Sequence, residues 1–412
     1  MSRNVWIRAS SLTLAVALLA GPALFAADGS PKFYEDVLPI LQENCQSCHR
    51  PHGLNMGGMV APMAFTDYDG VRPWAKSIAR VVADREMPPW HATDEFAGVF
   101  KNERTLNEAE ISTLVRWARG GAAKGDPANA PEAIAWTNAE WGLGEPDLIV
   151  RMPEPFWVED DVEDQYVNFT VVITEEMLPE MRYIRASEAR GGSKAVHHII
   201  ARPLGGMAPG GGHKQYPEGF GSALAPGTEV RFNMHYHKEP GEGTGVWDQS
   251  QVAVWFHDTP VYHQVSSSAV GNSTFEVPPG HPEWKVGASQ IFSEDTTILT
   301  MTPHMHLRGK SAKYTAFYPD GTQEVLLDVP KYDFNWQTAY TFKEPKLIPA
   351  GTRIEYEATF DNSTGNLSNP DAGSAVRFGG PTTAEMMLGF MATAPTKASL
   401  PEEVPSAGSA GR

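Results

Sequence analysis

The sequence predicts a multidomain chain, a small all-α domain followed by two antiparallel β-sandwich (jelly-roll-like) domains. Three observations lead there. At 412 residues the chain exceeds the roughly 100–200 residues of one domain. Two segments in its first third space their apolar residues as helices do. Beyond residue 141 the text turns into short runs heavy in β-branched and aromatic residues, among them VNFTVVI, VRFNMHYH, QVAVWFH, TILTMTPHMHL and RIEYEATF. Gly, Pro and Asp clusters such as Pro319-Asp320-Gly321 separate these runs, which is the texture of β-sandwiches. The expected limits are an export signal at 1–27, the helical domain at 28–127, a linker at 128–145, sandwiches at 146–285 and 286–395, and a tail at 396–412.

Residues 1–27 place Arg3 and Arg8 ahead of an apolar stretch from Leu12 to Leu19 and end in the small residues Ala26 and Ala27, the layout of a secretory signal peptide. The stretch falls short of the ~20 residues that cross a bilayer, and no later segment approaches that length. The expectation is export to the periplasm, cleavage, and a mature chain without stable membrane insertion. A net charge of −17, from 33 basic and 50 acidic residues with no basic cluster, excludes a nucleic-acid partner. The tail, TKASLPEEVPSAGSAGR, has no apolar period and reads as disordered.

Two cysteines are present, Cys45 and Cys48, both in Cys45-Gln46-Ser47-Cys48-His49, so structural disulfides do not hold the chain together. In C-x-x-C-H the two thiols add to the vinyl groups of one covalent haem c, and the adjacent imidazole supplies an axial nitrogen. A redox dithiol would need βαβ surroundings and zinc a second cysteine pair, and neither is present. The preceding FYEDVLPILQEN puts Phe33, Val37, Ile40 and Leu41 on one helical side. Downstream, Thr105-Leu106-Asn107-Glu108 resembles a capping box. It opens a helix whose apolar face is Ile111, Leu114, Val115 and Ala118 and which ends at Gly120-Gly121. Helix, haem, loops, helix is the arrangement of a small cytochrome c domain. The favoured sixth ligand is Met87, stiffened by the prolines of Met87-Pro88-Pro89-Trp90, a segment that resembles the axial-ligand loop of many small cytochromes c. Met63 and His91 are its rivals, while Met56 and Met59 read as core packing or loop.

Of 13 histidines, five sit in three patterned places: His197 with His198, His235 in His235-Tyr236-His237, and His304 with His306. In a strand, residues two apart face the same way, so His304 and His306 can share an ion. The adjacent His197 and His198 can do so only at a bend, bulge or strand end. Imidazole alone leaves copper, zinc, iron and nickel open, and a thioether ligand favours Cu(I). His213, His257, His263 and His281 stand alone and read as ordinary polar groups.

The string His-His, His-Tyr-His, His-x-His and then Glu385-Met386, over roughly residues 146 to 394, resembles the type II copper, ascorbate-dependent monooxygenases, the family of peptidylglycine α-hydroxylating and dopamine β-monooxygenases. The resemblance implies two copper ions. His197, His198 and His235 would hold the electron-transferring one, and His304, His306 and Met386 the oxygen-activating, catalytic one. Neighbouring strand residues face opposite sides, so only one of Met386 and Met387 should reach the metal; the match to the family's Glu-Met segment implies Met386, and it leaves His237 outside the ligand set. The disulfides of the animal enzymes have no cysteines here to form them.

The resemblance further implies an oxidoreductase that uses O₂ to hydroxylate an activated C–H of a small organic substrate. One electron is held at the oxygen site and the other crosses a solvent-filled cleft from the three-histidine copper. The fused haem, at high effective concentration beside its acceptor, is expected to take electrons from an external donor and pass them to the three-histidine copper. The alternative is a non-catalytic copper and haem protein, for electron transfer or redox sensing, on the same scaffold.

Overall fold

Asn107 opens the longest helix, Glu108–Arg119. Its side chain accepts from the Glu110 amide, and the Glu110 carboxylate accepts from the Asn107 amide. This reciprocal cap lies two residues beyond the Thr105 start expected from the sequence. Gly120 caps the other end, and Gly121 turns the chain away at φ +92°. The computed structural model describes residues 29–54, 56, 59–136 and 141–397. The expected signal at 1–27, part of the linker and all but the start of the tail lie outside the described residues. The helices Leu38–Asn44 and Ala75–Ala83 share with the longest one a core of Phe33, Leu41, Val71, Ile78, Leu114 and Trp117. No described helix is long and apolar enough to cross a membrane.

From residue 148 onward, strands such as Gly309–Phe317 and Arg353–Phe360 alternate more and less buried positions, the pattern of a sheet with one face against a core. Four principal sheets result. The first orders Leu148–Arg151, Gln251–Phe256, Arg182–Arg190, Phe220–Leu224 and His263–Gln264, with Lys214–Gln215 at its side. The second orders Asp164–Val172, Glu229–His237, Val196–Arg202 and Gly205–Met207. The third orders Ser266–Gly271, Leu388–Pro395, Thr296–His304 and Tyr340–Ile348, and the fourth Trp284–Ile291, Arg353–Phe360, Gly309–Phe317 and Gln323–Val329. Within them pairing is antiparallel except where His263–Gln264 meets Phe220 and Gly221. Ile184, Val254, Ile199, Phe232 and Met234 belong to a core shared by the first two sheets. Met301, Met391, Tyr314, Tyr356 and Leu327 belong to one shared by the last two. The change of sheet pair falls before Ser266, which pairs with Thr393.

The helical region does not stand apart. Between Ala75–Ala83 and Glu108–Arg119 the chain leaves the helices and lies along the third sheet. Phe100 bridges Phe342, Lys101 N–H donates to Thr341 O at 2.7 Å, and Lys343 N–H donates to Val99 O at 2.9 Å. Thr93 N–H reaches Asp328 O at 3.0 Å. Phe96 and Phe100 are buried in the core of the third and fourth sheets, and Trp90 meets Tyr340 edge-on at 5.0 Å.

These contacts correct the expected fold class of a small all-α cytochrome c domain followed by two jelly-roll-like β-sandwiches. The chain is mostly β, 37% strand against 13% helix, its helices are short, and no all-α domain is evident among the described residues. The cause lies in Trp90, Phe96, Val99 and Phe100. Their apolar side chains pack on a β core from within a segment that, in the sequence, reads as a loop between helices.

Candidate functional site

Pairing of Val196–Arg202 with Glu229–His237 sets Val196 opposite Tyr236 and His198 opposite His235, which leaves His197 as the extra residue of a β-bulge. The bulge lets adjacent imidazoles converge: one ring nitrogen from each of His197, His198 and His235 lies within 4.8 Å of the others. His235 Nδ1 is 3.2 Å from His198 Nδ1, and His197 Nδ1 is buried with no hydrogen-bond partner. The second nitrogen of His235, Nε2, is held by the Asp164 carboxylate, and Tyr166 stacks on the ring at 4.2 Å. Burial, then the neighbouring imidazoles, pushes His197 down to about 4 and His198 to about 2. Burial lowers His235 too, against the raising effect of Asp164. These rings are therefore neutral, the form that binds a metal. His237 is exposed, its ring 6.1 Å from His197.

His304 ends the strand Thr296–His304, and the His306 ring lies 5.3 Å from it and nearly perpendicular. Nδ1 of His304 donates to Gln337 Oε1 at 2.7 Å, and Nδ1 of His306 to the Ala384 carbonyl at 3.2 Å. The Gln337 amide is oriented by its own Nε2 donating to Phe334 O at 3.2 Å. With both δ protons committed, Nε2 is the nitrogen left with a free lone pair on each ring. Burial lowers both groups, His306 to about 4. Glu385 accepts from the amides of His306 at 2.8 Å and Arg308 at 2.7 Å, fixing the turn after His306, and burial pushes its carboxyl up to about 7. The next two residues divide as alternation requires. Met387 is fully buried in the apolar core, and Met386 is half-buried outside it.

Phe334 touches both groups. Its ring stacks on His197 at 5.3 Å and stands edge-on to His306 at 5.8 Å, where the resemblance implies a solvent-filled cleft. A second link runs from Tyr166 Oη–H to Gly380 O at 3.0 Å and from Thr382 Oγ1 to Asp164 Oδ2 at 3.4 Å. Sequence reasoning missed Asp164, Phe334 and Gln337, because each gains its role from a partner distant in the chain.

Cys45, Cys48 and His49 line one cavity, joined there by Met56, Met59, Met87, Arg104 and Trp336. Both thiols are free, and burial, then the neighbouring Cys48, pushes Cys45 up to about 12. His49 stacks on Phe65 at 4.4 Å, and its Nδ1 lies 3.3 Å from the Met63 carbonyl, which leaves Nε2 free. Of the sixth-ligand candidates, Met87 is on the cavity wall. Met63 packs on the helical core, and His91, whose pKa burial lowers, is not among the residues that line the wall. Met56, which is buried, and Met59 bridge to one another in a loop and also line the wall. Paired thiols, one oriented imidazole and thioethers around a shared space are a donor set that fits a covalently attached haem.

No family model and no curated protein matches the chain. Among solved structures it is similar to the VP2 subviral particle of infectious bursal disease virus, at 10% identity over 61% of this chain and 73% of that one, with a TM-score of 0.20. The major capsid protein P2 of bacteriophage PM2 gives 8% identity over 53% and 100%, with a TM-score of 0.22. A Paenibacillus xanthan lyase gives 10% over 68% and 28%, with a TM-score of 0.18. Likenesses this slight carry no argument about fold or function, and the functional reading rests on the residues themselves.

Proposed function

We propose that this chain is an exported haem c- and copper-containing oxidoreductase, an O₂-dependent monooxygenase acting on an activated C–H of a small organic substrate, with the haem as its port for electrons from an external donor. The observation that carries this reading is the unequal presentation of imidazole nitrogens in two neighbouring groups. Three histidines bring one ring nitrogen each within 4.8 Å of the others, and His197 Nδ1 is buried without a partner. Two others have Nδ1 tied to carbonyl oxygens and Nε2 free, with Met386 two residues from the carbonyl that holds His306. Three imidazoles suit copper or zinc alike, and a thioether ligand from Met386 beside His304 and His306 would favour copper.

Bound there, copper supplies one-electron redox chemistry and O₂ activation, and haem on Cys45, Cys48, His49 and Met87 supplies one-electron transfer. The chain's own groups orient the donors. Asp164 accepts from His235 Nε2–H, Gln337 and Ala384 set the tautomers of His304 and His306, Glu385 fixes the turn after His306, and Met63 O aims His49. Trp336 lines the haem cavity one residue before Gln337, which supports a route toward the His304 group as well as the three-histidine group.

Phe334, standing against both histidine groups, favours a second reading, a non-catalytic electron-transfer or redox-sensing protein. The deciding measurement is copper per iron in full-length protein matured in an export-competent host with haem attachment and copper supplied. About two coppers per iron, with one lost in His304→Ala and weaker binding in Met386→Ala, supports two sites. Copper absent, or indifferent to both substitutions, overturns the copper reading. Reductant-dependent O₂ consumption stimulated by organic substrates then separates the catalytic from the non-catalytic form.

A further inference from the structure

The loop of residues 333–338 joins the Cys45, Cys48 and His49 cavity to one histidine group by an unbroken run of bonds. Trp336 lines the cavity, and its ring is packed against Gly210, where a Cβ would come within 2.7 Å of its Cε3. Met56, on the same wall, accepts from Gly210 N–H at 2.9 Å, which ties that packing to the cavity. Gln337 follows directly in the chain and is buried. Its N–H donates to Pro209 O at 2.8 Å and its Nε2 to Phe334 O at 3.2 Å, while its Oε1 accepts from His304 Nδ1 at 2.7 Å. From the cavity wall to the His304 ring the path is therefore covalent except for one short hydrogen bond. The three-histidine group has no such link to the cavity among the described residues. It meets this loop through the face of Phe334 on His197, with 5.3 Å between ring centres. His197 Nδ1 has no hydrogen-bond partner, and the hydrogen bond of His235 Nε2 leads to Asp164 and on to Thr382, neither of which lines the cavity.

We propose that Trp336 and Gln337 carry electrons from the haem directly to the copper held by His304 and His306, so that the three-histidine copper is not the point of entry. This rests on the haem and copper reading above, and it departs from the expected entry at the three-histidine copper. Electron tunnelling weakens least along covalent bonds, somewhat more across a short hydrogen bond, and most across a gap between atoms in mere contact. Gln337 offers the hydrogen bond and Phe334 only the contact. The transfer is of one electron: Fe(II) becomes Fe(III) and Cu(II) becomes Cu(I). No bond or proton moves, since the Nδ1 proton stays on His304, and the external donor restores Fe(II). Gln337 is a positioning residue that acts through His304.

The test uses the full-length holoprotein with saturating copper, haem being counted by the pyridine haemochrome spectrum and copper by elemental analysis. A flash-excited ruthenium complex places one electron on the haem, and the return of the haem absorbance to its oxidised form reads transfer to copper. Haem and copper potentials, measured in parallel, allow rates to be compared at known driving force. The expected result is fast transfer in the wild type and in His198→Ala, and loss of the fast phase in His304→Ala. Gln337→Leu, which removes an outer-shell partner, should slow it at least about tenfold. Trp336→Leu should slow it too with the copper EPR spectrum unchanged, and Trp336→Phe, which keeps an aromatic ring on the wall, should retain most of the rate. Transfer that survives His304→Ala and fails in His198→Ala overturns the proposal and leaves the haem and copper reading standing, as does a rate indifferent to both Trp336→Leu and Gln337→Leu. A wild type without covalent haem or without copper overturns both. Should Trp336→Leu fail to mature, the contrast between His304→Ala and His198→Ala decides by itself.

Discussion

Gln337 accepts the Nδ1 proton of His304 at 2.7 Å, and the residue before it, Trp336, walls the cavity of Cys45, Cys48 and His49. One short loop thus faces two of the candidate centres, and through Phe334 it faces the third. Gly210 pins it. A side chain there would collide with Trp336, Gly210 N–H donates to Met56 O at 2.9 Å, and Gln337 N–H donates to Pro209 O at 2.8 Å.

Gln337→Leu removes the acceptor that fixes the His304 tautomer. We expect copper affinity at the His304–His306 group to fall about 10–100-fold, the usual effect of losing an outer-sphere partner, with the three-histidine group unchanged. Competitive copper titration of the two sites checks this, and equal weakening of both would point to general damage instead.

Met386→Leu and Met387→Leu separate ligand from core. Met387→Leu keeps volume inside the apolar core and should cost less than about 1.5 kcal/mol with copper content intact. Met386→Leu should leave stability nearly unchanged and weaken Cu(I) binding. X-ray absorption supplies the readout, since the sulfur scatterer at copper should vanish in the Met386 variant alone.

Phe100→Ala deletes a fully buried ring from the core of the third and fourth sheets, at an expected cost of about 3–5 kcal/mol. Because that ring comes from the segment between two helices, the loss should appear in the unfolding of the β region. An unchanged β transition in urea would mean the helical part folds on its own.

The metal-free protein should lose stability on mild acidification. In the unfolded chain the histidines protonate near 6.5, whereas burial holds His197 and His306 to about 4 and His198 to about 2. The unfolded state therefore binds more protons than the folded one below 6.5, so the contribution is full above that pH and declines as pH falls toward 4. Urea midpoints measured from neutral pH downward should drop, and a flat profile between 6.5 and the onset of carboxylate titration would contradict the buried neutral rings.

What was legible in the sequence was local. Cys45 to His49 is one contiguous motif, and the need for a bulge at His197 and His198 follows from strand geometry, which the pairing with Glu229–His237 meets. Alternation likewise anticipated that Met386 and Met387 would face opposite sides, and one is buried in the core while the other is half-buried outside it. The longest helix was legible apart from its start, because Thr105 and Asn107 both offer a capping side chain and only the backbone course decides between them. Asp164, Phe334 and Gln337 were illegible. A lone Gln or Asp has no period or spacing, and its meaning comes from a partner placed by the tertiary fold. The fold class failed for a related reason. Trp90, Phe96 and Phe100 are apolar residues in a loop, and nothing local says which core they enter.

Tyr340–Ile348 is the outermost strand of its sheet, and an outermost strand with bare amides and carbonyls is a template for another chain. By lying along its start, Val99 to Lys101 cover Thr341 to Lys343 with the protein's own backbone. The segment that leads away from the cavity of Cys45, Cys48 and His49 therefore also covers part of an edge open to self-association. A change between Met87, on the cavity wall, and Lys101, on the strand, is therefore felt at both the cavity and the sheet edge.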